Sequence, residues 1–313
     1  MTNLDQFESV FKSADKAVYT YDRPTFDRVL LVTDLNEADA AGIANRVRSF
    51  LTAIDEADTR WDTLCGDDFG SVQALLENIE TLKPDLIITY RHLHSEVLKW
   101  PHSLGEYLDV MTQATSVPVM VLPHPDAQRA LPHSINDTDR VMAITNHLTG
   151  DNQLVNMAVT FTKPGGTCWL THVENQPVFK RYMDAVSKIP GIDTDVAREA
   201  LGEQLLKEPR DFIAACRGAI DAQGLPIRIE EVVAMGRQVD EYGELIAKRE
   251  IDLLVLHTKD DDQLAMHGMA YSLSIELVER GAERPRADGL LALRGVLDRP
   301  EEADSEEQKA ALE

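Results

Sequence analysis

The sequence predicts an α/β protein built from two tandem, doubly wound, mostly parallel sheets, with a helical insertion in the second. Three observations carry this. The stretch Asp27-Arg28-Val29-Leu30-Leu31-Val32-Thr33-Asp34 is written again as Asp139-Arg140-Val141-Met142-Ala143-Ile144-Thr145-Asn146, and a repeat of that kind marks two copies of one unit. In each copy a charged pair leads into a continuous apolar run that stops at a short polar side chain, the pattern of a strand buried on both faces of a parallel sheet. Between such runs lie helical periodicities joined by short links, the alternation of a doubly wound sheet.

In chain order, Phe7, Val10 and Phe11 stand at helical spacing in an arm, residues 1 to 26, that Pro24 closes. The first unit, 27 to 125, follows its opening strand with a helix over Ala38 to Ile54, a strand over Thr59 to Cys65 and a helix that Lys83-Pro84 ends. Asp85 to Tyr90 is another buried strand, and a helix through Tyr107 to Met111 leads to the strand Val117 to Leu122. A linker rich in Pro, His and Asp, 126 to 138, separates the units.

The second unit, 139 to 297, continues with a helix over Asp151 to Phe161 and a strand over Thr167 to His172. It then departs from the first. Residues 174 to 223 hold separate helical patterns over Phe179 to Val186, Val196 to Leu206 and Phe212 to Ile220, expected to form a cap on the sheet or over its ligand edge. Strands over Ile227 to Val233, Ile251 to His257 and Gly289 to Leu293, with a helix over Glu241 to Lys248, complete the unit before an acidic tail, 298 to 313.

The 313 residues carry a formal charge of −23. That balance disfavours nucleic acids and anionic membranes, whose recognition rests on clustered Lys and Arg. No apolar run is long enough to span a membrane, and the N-terminus shows no targeting pattern, so a cytoplasmic protein is expected. Cys65, Cys168 and Cys216 are widely spaced and contain no C-x-x-C pair, which fits reduced, buried thiols. Nucleophile-elbow, Walker and H-E-x-x-H patterns are absent, so no catalytic residue is singled out.

Two tandem α/β units, each opening D-R-V-x-x-[VI]-T-[DN], with Val117-Pro118-Val119-Met120-Val121 closing the first, resemble the universal stress protein family in its tandem form. The resemblance implies a five-stranded, adenine-nucleotide-hydrolase-like sheet in each unit, final strands paired across a pseudo-two-fold, and ATP or another adenine nucleotide, with Mg²⁺, as the ligand class. Many members bind ATP through a G-x2-G-x9-G-[ST] loop after the fourth strand. In the first unit only Gly105 matches that loop, and Glu106 stands at the hydroxyl position, so Thr33, Asp34 and Gly105 are read as a vestigial site. In the second, Gly268 and Ser272 remain, and Asn146 replaces Asp34.

Ligands of such sheets gather at the carboxyl ends of the strands. The expected binding residues are therefore Thr145, Asn146, His147, His257, Thr258, Lys259, Gly268 and Ser272, with the first and fourth strands as neighbours. Asp260, Asp262 and His267 are metal candidates, set against the plainer reading of a solvated acidic loop. The cluster His92, His94 and His102 is read as loop structure rather than a zinc site. The expected function is a non-catalytic, regulatory binding protein, an intramolecular pseudo-dimer open to homodimerisation or a protein partner. A weak Mg²⁺-dependent nucleotide hydrolase and a ligand-free adaptor are the alternatives. This reading takes one sheet unit as copied, with a pocket kept only in the later copy; opening strands in a single continuous sheet, or a cleft beneath the cap plugged by side chains, would overturn it.

Overall fold

A computed structural model describes residues 19–95, 103–125, 135–145, 147–259 and 289–294, with backbone alone at 258, 259 and 289–294. The first half contains β1 (Arg28–Val32), α1 (Glu37–Phe50), β2 (Arg60–Leu64), α2 (Val72–Leu82), β3 (Leu86–Tyr90), α3 (Glu106–Ala114) and β4 (Val119–Leu122). The second contains β5 (Arg140–Thr145), α4 (Asn152–Phe161), β6 (Thr167–Asn175), α5 (Gln176–Val186), α6 (Thr194–Ala222), β7 (Arg228–Gly236), α7 (Gln238–Arg249), β8 (Leu253–Lys259) and β9 (Gly289–Arg294).

The nine strands of the described residues form one sheet, in the order β2-β1-β3-β4-β9-β8-β5-β6-β7. Within each half the pairing is parallel, and the halves join where β4 runs antiparallel to β9. The final strands thus meet as expected, but two points differ from the sequence reading. Among the described residues the first half has four strands rather than five, with none corresponding to the outer strand β7. The opening strands also share a continuous sheet. The two ligand edges stay separate nonetheless, since the antiparallel junction turns the carboxyl ends of β1 and β5 toward opposite edges.

Helices cover both faces, which is why β3 and β4 are buried along their whole length. On one face α1, α4 and the C-terminal half of α6 pack with Leu31, Ala143 and Leu170; on the other α2, α3 and α7 pack with Leu30, Ile144 and Trp169. The two last helical patterns of the insertion form one helix, α6, which continues through Pro209. Its C-terminal half buries Phe212, Ile213, Cys216 and Ile220, making it the crossover helix between β6 and β7.

The repeat runs deeper than the opening strands. Helix α2 ends on Lys83 and α7 on Glu250, both left-handed at φ 49° and φ 51°. Two residues on, Asp85 accepts a hydrogen bond from the Arg28 amide and Asp252 accepts one from the Arg140 amide, each at 2.8 Å. Each copy is therefore pinned at the amino end of its opening strand by the same carboxylate. Burial raises the Asp252 carboxyl to about 6, against the pull of nearby Arg140.

The arm is described from Tyr19 onward, and it packs on the second half. Tyr19 donates to Asn156 Oδ1 at 2.8 Å and meets Phe212 edge-on, while Phe26 packs on Phe161. Residues 1–18, the tail and the expected helix after Thr258 lie outside the described residues.

Two predictions follow from these contacts. Tyr19→Phe leaves the buried Asn156 oxygen without its donor and should lower stability by about 1–3 kcal/mol in urea denaturation; an unchanged midpoint would mean the arm does not dock. Because the Asp252 pKa is raised in the folded state, its contribution to stability is complete below the unfolded value of 3.8 and is lost as pH rises through about 6. Relative to Asp252→Asn, the native chain should therefore gain about 3 kcal/mol between pH 7 and pH 3.5, measured as paired denaturation curves.

Candidate functional site

Corresponding positions at the two ligand edges follow from register. Leu31 pairs with Ile88 and Ala143 with Val255, so two residues on, Tyr90 and His257 stand at matching places beside the polar ends of β1 and β5. The two edges are finished in opposite ways.

At the first edge the polar groups bind one another. The Tyr90 hydroxyl donates to Asp34 Oδ1 and lies 2.7 Å from Thr33 Oγ1. The second Asp34 oxygen accepts from the His94 amide at 2.9 Å. Gly66 brings the turn after β2 against the chain at Asp34: a Cβ there would sit 2.5 Å from the Asp34 carbonyl oxygen, so only glycine fits. Gly105, at φ 86°, lies against His92, whose backbone would be 3.0 Å from an added Cβ. Phe69, His94 and Tyr107 meet edge-on or tilted, and the His124 ring lies edge-on to Tyr90. Burial and the neighbouring Asp34 carboxylate push the Tyr90 phenol far up, so it remains a neutral donor. The residues read as vestigial are thus brought together, and their hydrogen-bonding capacity is used internally.

The second edge presents a row across three strands. Thr145 pairs with His172 on β6, and the register of β5 with β8 sets His257 on its other side. Strand alternation directs all three to the face that α4 covers. His257 Nε2 lies 2.8 Å from Asp151 Oδ2, while Asp151 Oδ1 caps α4 by accepting from the Leu154 amide at 3.0 Å. One carboxylate therefore holds both the helix start and the imidazole. Thr145 Oγ1 accepts from the His147 amide at 3.1 Å, and His147 is exposed. From the opposite face the buried Tyr242 hydroxyl donates to the Thr145 carbonyl and accepts from the Val173 amide, both at 3.2 Å, tying β5 to β6.

Polar capacity here is left over. His172, 6% exposed, has Nε2 3.4 Å from Glu174, while its Nδ1 and Asn152 Oδ1 are buried with no hydrogen-bond partner among the described residues. With the Nε2 hydrogen directed to Glu174, both atoms are acceptors.

Of the expected binding residues, the structure brings Thr145, His147 and His257 to one edge; Thr258 and Lys259 extend β8 beside them as backbone. Asn146, Gly268, Ser272 and the metal candidates Asp260, Asp262 and His267 lie outside the described residues, as does His102. No cluster of three metal-ligating side chains occurs among the described residues. Asp151 and His172 were missed: Asp151 signals only a helix start, and His172 only the end of a strand. The open depression lined by Arg217, Asp221, Arg228 and Glu230 lies at the amino ends of β6 and β7, away from this edge.

No family model and no curated protein matches the sequence. Solved structures are similar to it. A functionally unknown protein from Pseudomonas aeruginosa PAO1 aligns at 12% identity and TM-score 0.48, over 86% of this chain and 92% of that one. A putative universal stress protein from Pseudomonas aeruginosa UCBPP-PA14 aligns at 11% and 0.44, over 94% and 89%. A universal stress protein from Archaeoglobus fulgidus DSM 4304 aligns at 12% and 0.45, over 86% and 98%. Among the described residues no helix is long and apolar enough to cross a membrane.

Tyr90→Phe should cost about 1 kcal/mol by removing the donor to a part-buried carboxylate oxygen, read in chemical denaturation. A smaller loss would mean that water already reaches Asp34.

Proposed function

We propose that this chain is a tandem universal-stress-protein-like regulatory module that binds one small ligand, an adenine nucleotide or nucleoside, at the carboxyl edge of β5, β6 and β8, without chemistry of its own. The observation that carries the reading is the contrast between edges. Asp34 is held by Tyr90 and His94, whereas His172 Nδ1 and Asn152 Oδ1 are buried acceptors without a donor among the described residues at the other edge. A buried acceptor without a donor is costly, of the order of 1–3 kcal/mol, and ribose hydroxyls and an exocyclic amine are donors of the right kind. The doubly wound order of β7-β6-β5-β8-β9, in which the opening strand sits between the second and fourth of its half, supports a ligand at this switch point. Phosphates would fall toward the segment after β8, where Asp260 to Asp262 call for Mg²⁺ to offset their charge.

The test is calorimetric titration of the full chain with ATP, ADP, AMP and adenosine, with and without Mg²⁺. We expect one site per chain, weakened at least about tenfold in His172→Leu and unchanged in Asp34→Asn, with circular dichroism confirming the fold. No heat with any of them supports the ligand-free adaptor instead. Phosphate release that disappears in Asp260→Ala would make the protein a hydrolase.

A further inference from the structure

The hairpin of α5 and the N-terminal half of α6 has no counterpart in the first half, and it is only loosely attached to the sheet. Helix α5 buries Met183 alone, and α6 buries nothing before Pro209. The exposed large apolar side chains among the described residues, Tyr182, Ile189, Ile192, Val196 and Leu201, all lie on this hairpin. Val196 is 62% exposed and Ile189 50%. A cluster of that kind marks an interaction surface.

Its charge indicates what covers it. The chain as a whole carries −23, yet Gln176 to Gly202 is balanced, with Lys180, Arg181, Lys188 and Arg198 against Asp184, Asp193, Asp195 and Glu199. The charges are also segregated. Three of the cations lie on α5 and its exit, and three of the carboxylates lie at the start of α6. An anionic surface or a basic partner would match only one side of that pattern. A second hairpin turned by a two-fold axis matches both, because the basic helix of each copy then faces the acidic helix of the other.

We propose that a second copy of this chain docks here, the tips of the two hairpins packing on one another through Ile189 and Ile192, in the turn after α5, and Val196, in the first turn of α6. Neutrality is what permits contact at this place, since two chains of charge −23 repel one another over the rest of their surfaces.

Sedimentation velocity on the full chain at about 100 µM should show a dimer. Ile189→Asp with Val196→Asp should weaken it at least about tenfold, without loss of helical signal, because neither residue is buried. Lys180→Glu with Arg181→Glu should do the same by setting carboxylates against carboxylates. Adding Asp195→Lys and Glu199→Lys to that variant should restore the dimer, a rescue that a local structural role would not produce. A monomer at that concentration, a dimer indifferent to these changes, or a charge swap without rescue would each overturn the proposal.

Discussion

The antiparallel pairing of β4 with β9 is the contact on which the rest of the architecture depends. Val119, Met120 and Val121 meet Ala292, Leu291 and Leu290 across it, and β9 pairs with β8 on its other side. Remove that junction and the molecule becomes two sheets, each with an exposed, apolar final edge that would recruit another chain. With it, β4 becomes an interior strand, which explains why all four of its residues are buried. The same contact fixes the direction of each half, and therefore puts the two candidate edges at opposite sides of the molecule, where each could change without disturbing the other.

That independence is visible in the chemistry at the strand ends. Thr33 and Thr145 are equivalent, and both use their hydroxyls locally. Beyond them, a phenol on β3 faces the carboxylate at the end of β1, while an imidazole on β8 faces a carboxylate five residues further along, on the cap of α4. The acidic partner has moved from the strand end to the helix start. In the first half that partner sits within the crevice and is consumed by Tyr90 and His94; in the second it holds His257 from the side, and the row His257, Thr145 and His172 keeps its face.

The strand order was legible because a buried parallel strand cannot be written without a continuous apolar run, and the repeat supplied the register between copies. The four-strand count of the first half was legible in the same way; the fifth strand came from family resemblance, not from residues. What was illegible depended on partners distant in sequence. Tyr90 reads as the last residue of a core strand, and nothing local says its hydroxyl reaches Asp34. Asp151 reads as a helix cap, which it is, and its second oxygen on His257 becomes visible only once β5 and β8 are neighbours. The gap expected between Leu206 and Phe212 reflects Pro209, normally a helix breaker, which α6 nonetheless accommodates.

Among the described residues the two borders of the sheet also differ beside the opening strands. Strand β6 is flanked by β7, so the floor beside β5 continues outward and a ligand there has sheet beneath it on both sides. Strand β2 is itself the border, half-exposed and laced with charge through Arg28, Arg60 and Asp62, the pattern that protects an edge from strand addition. A crevice beside such a border has one wall open to water, and acceptors placed there gain more from internal donors than from a ligand held on one side. The turn at Gly66 lies against Asp34 on that side.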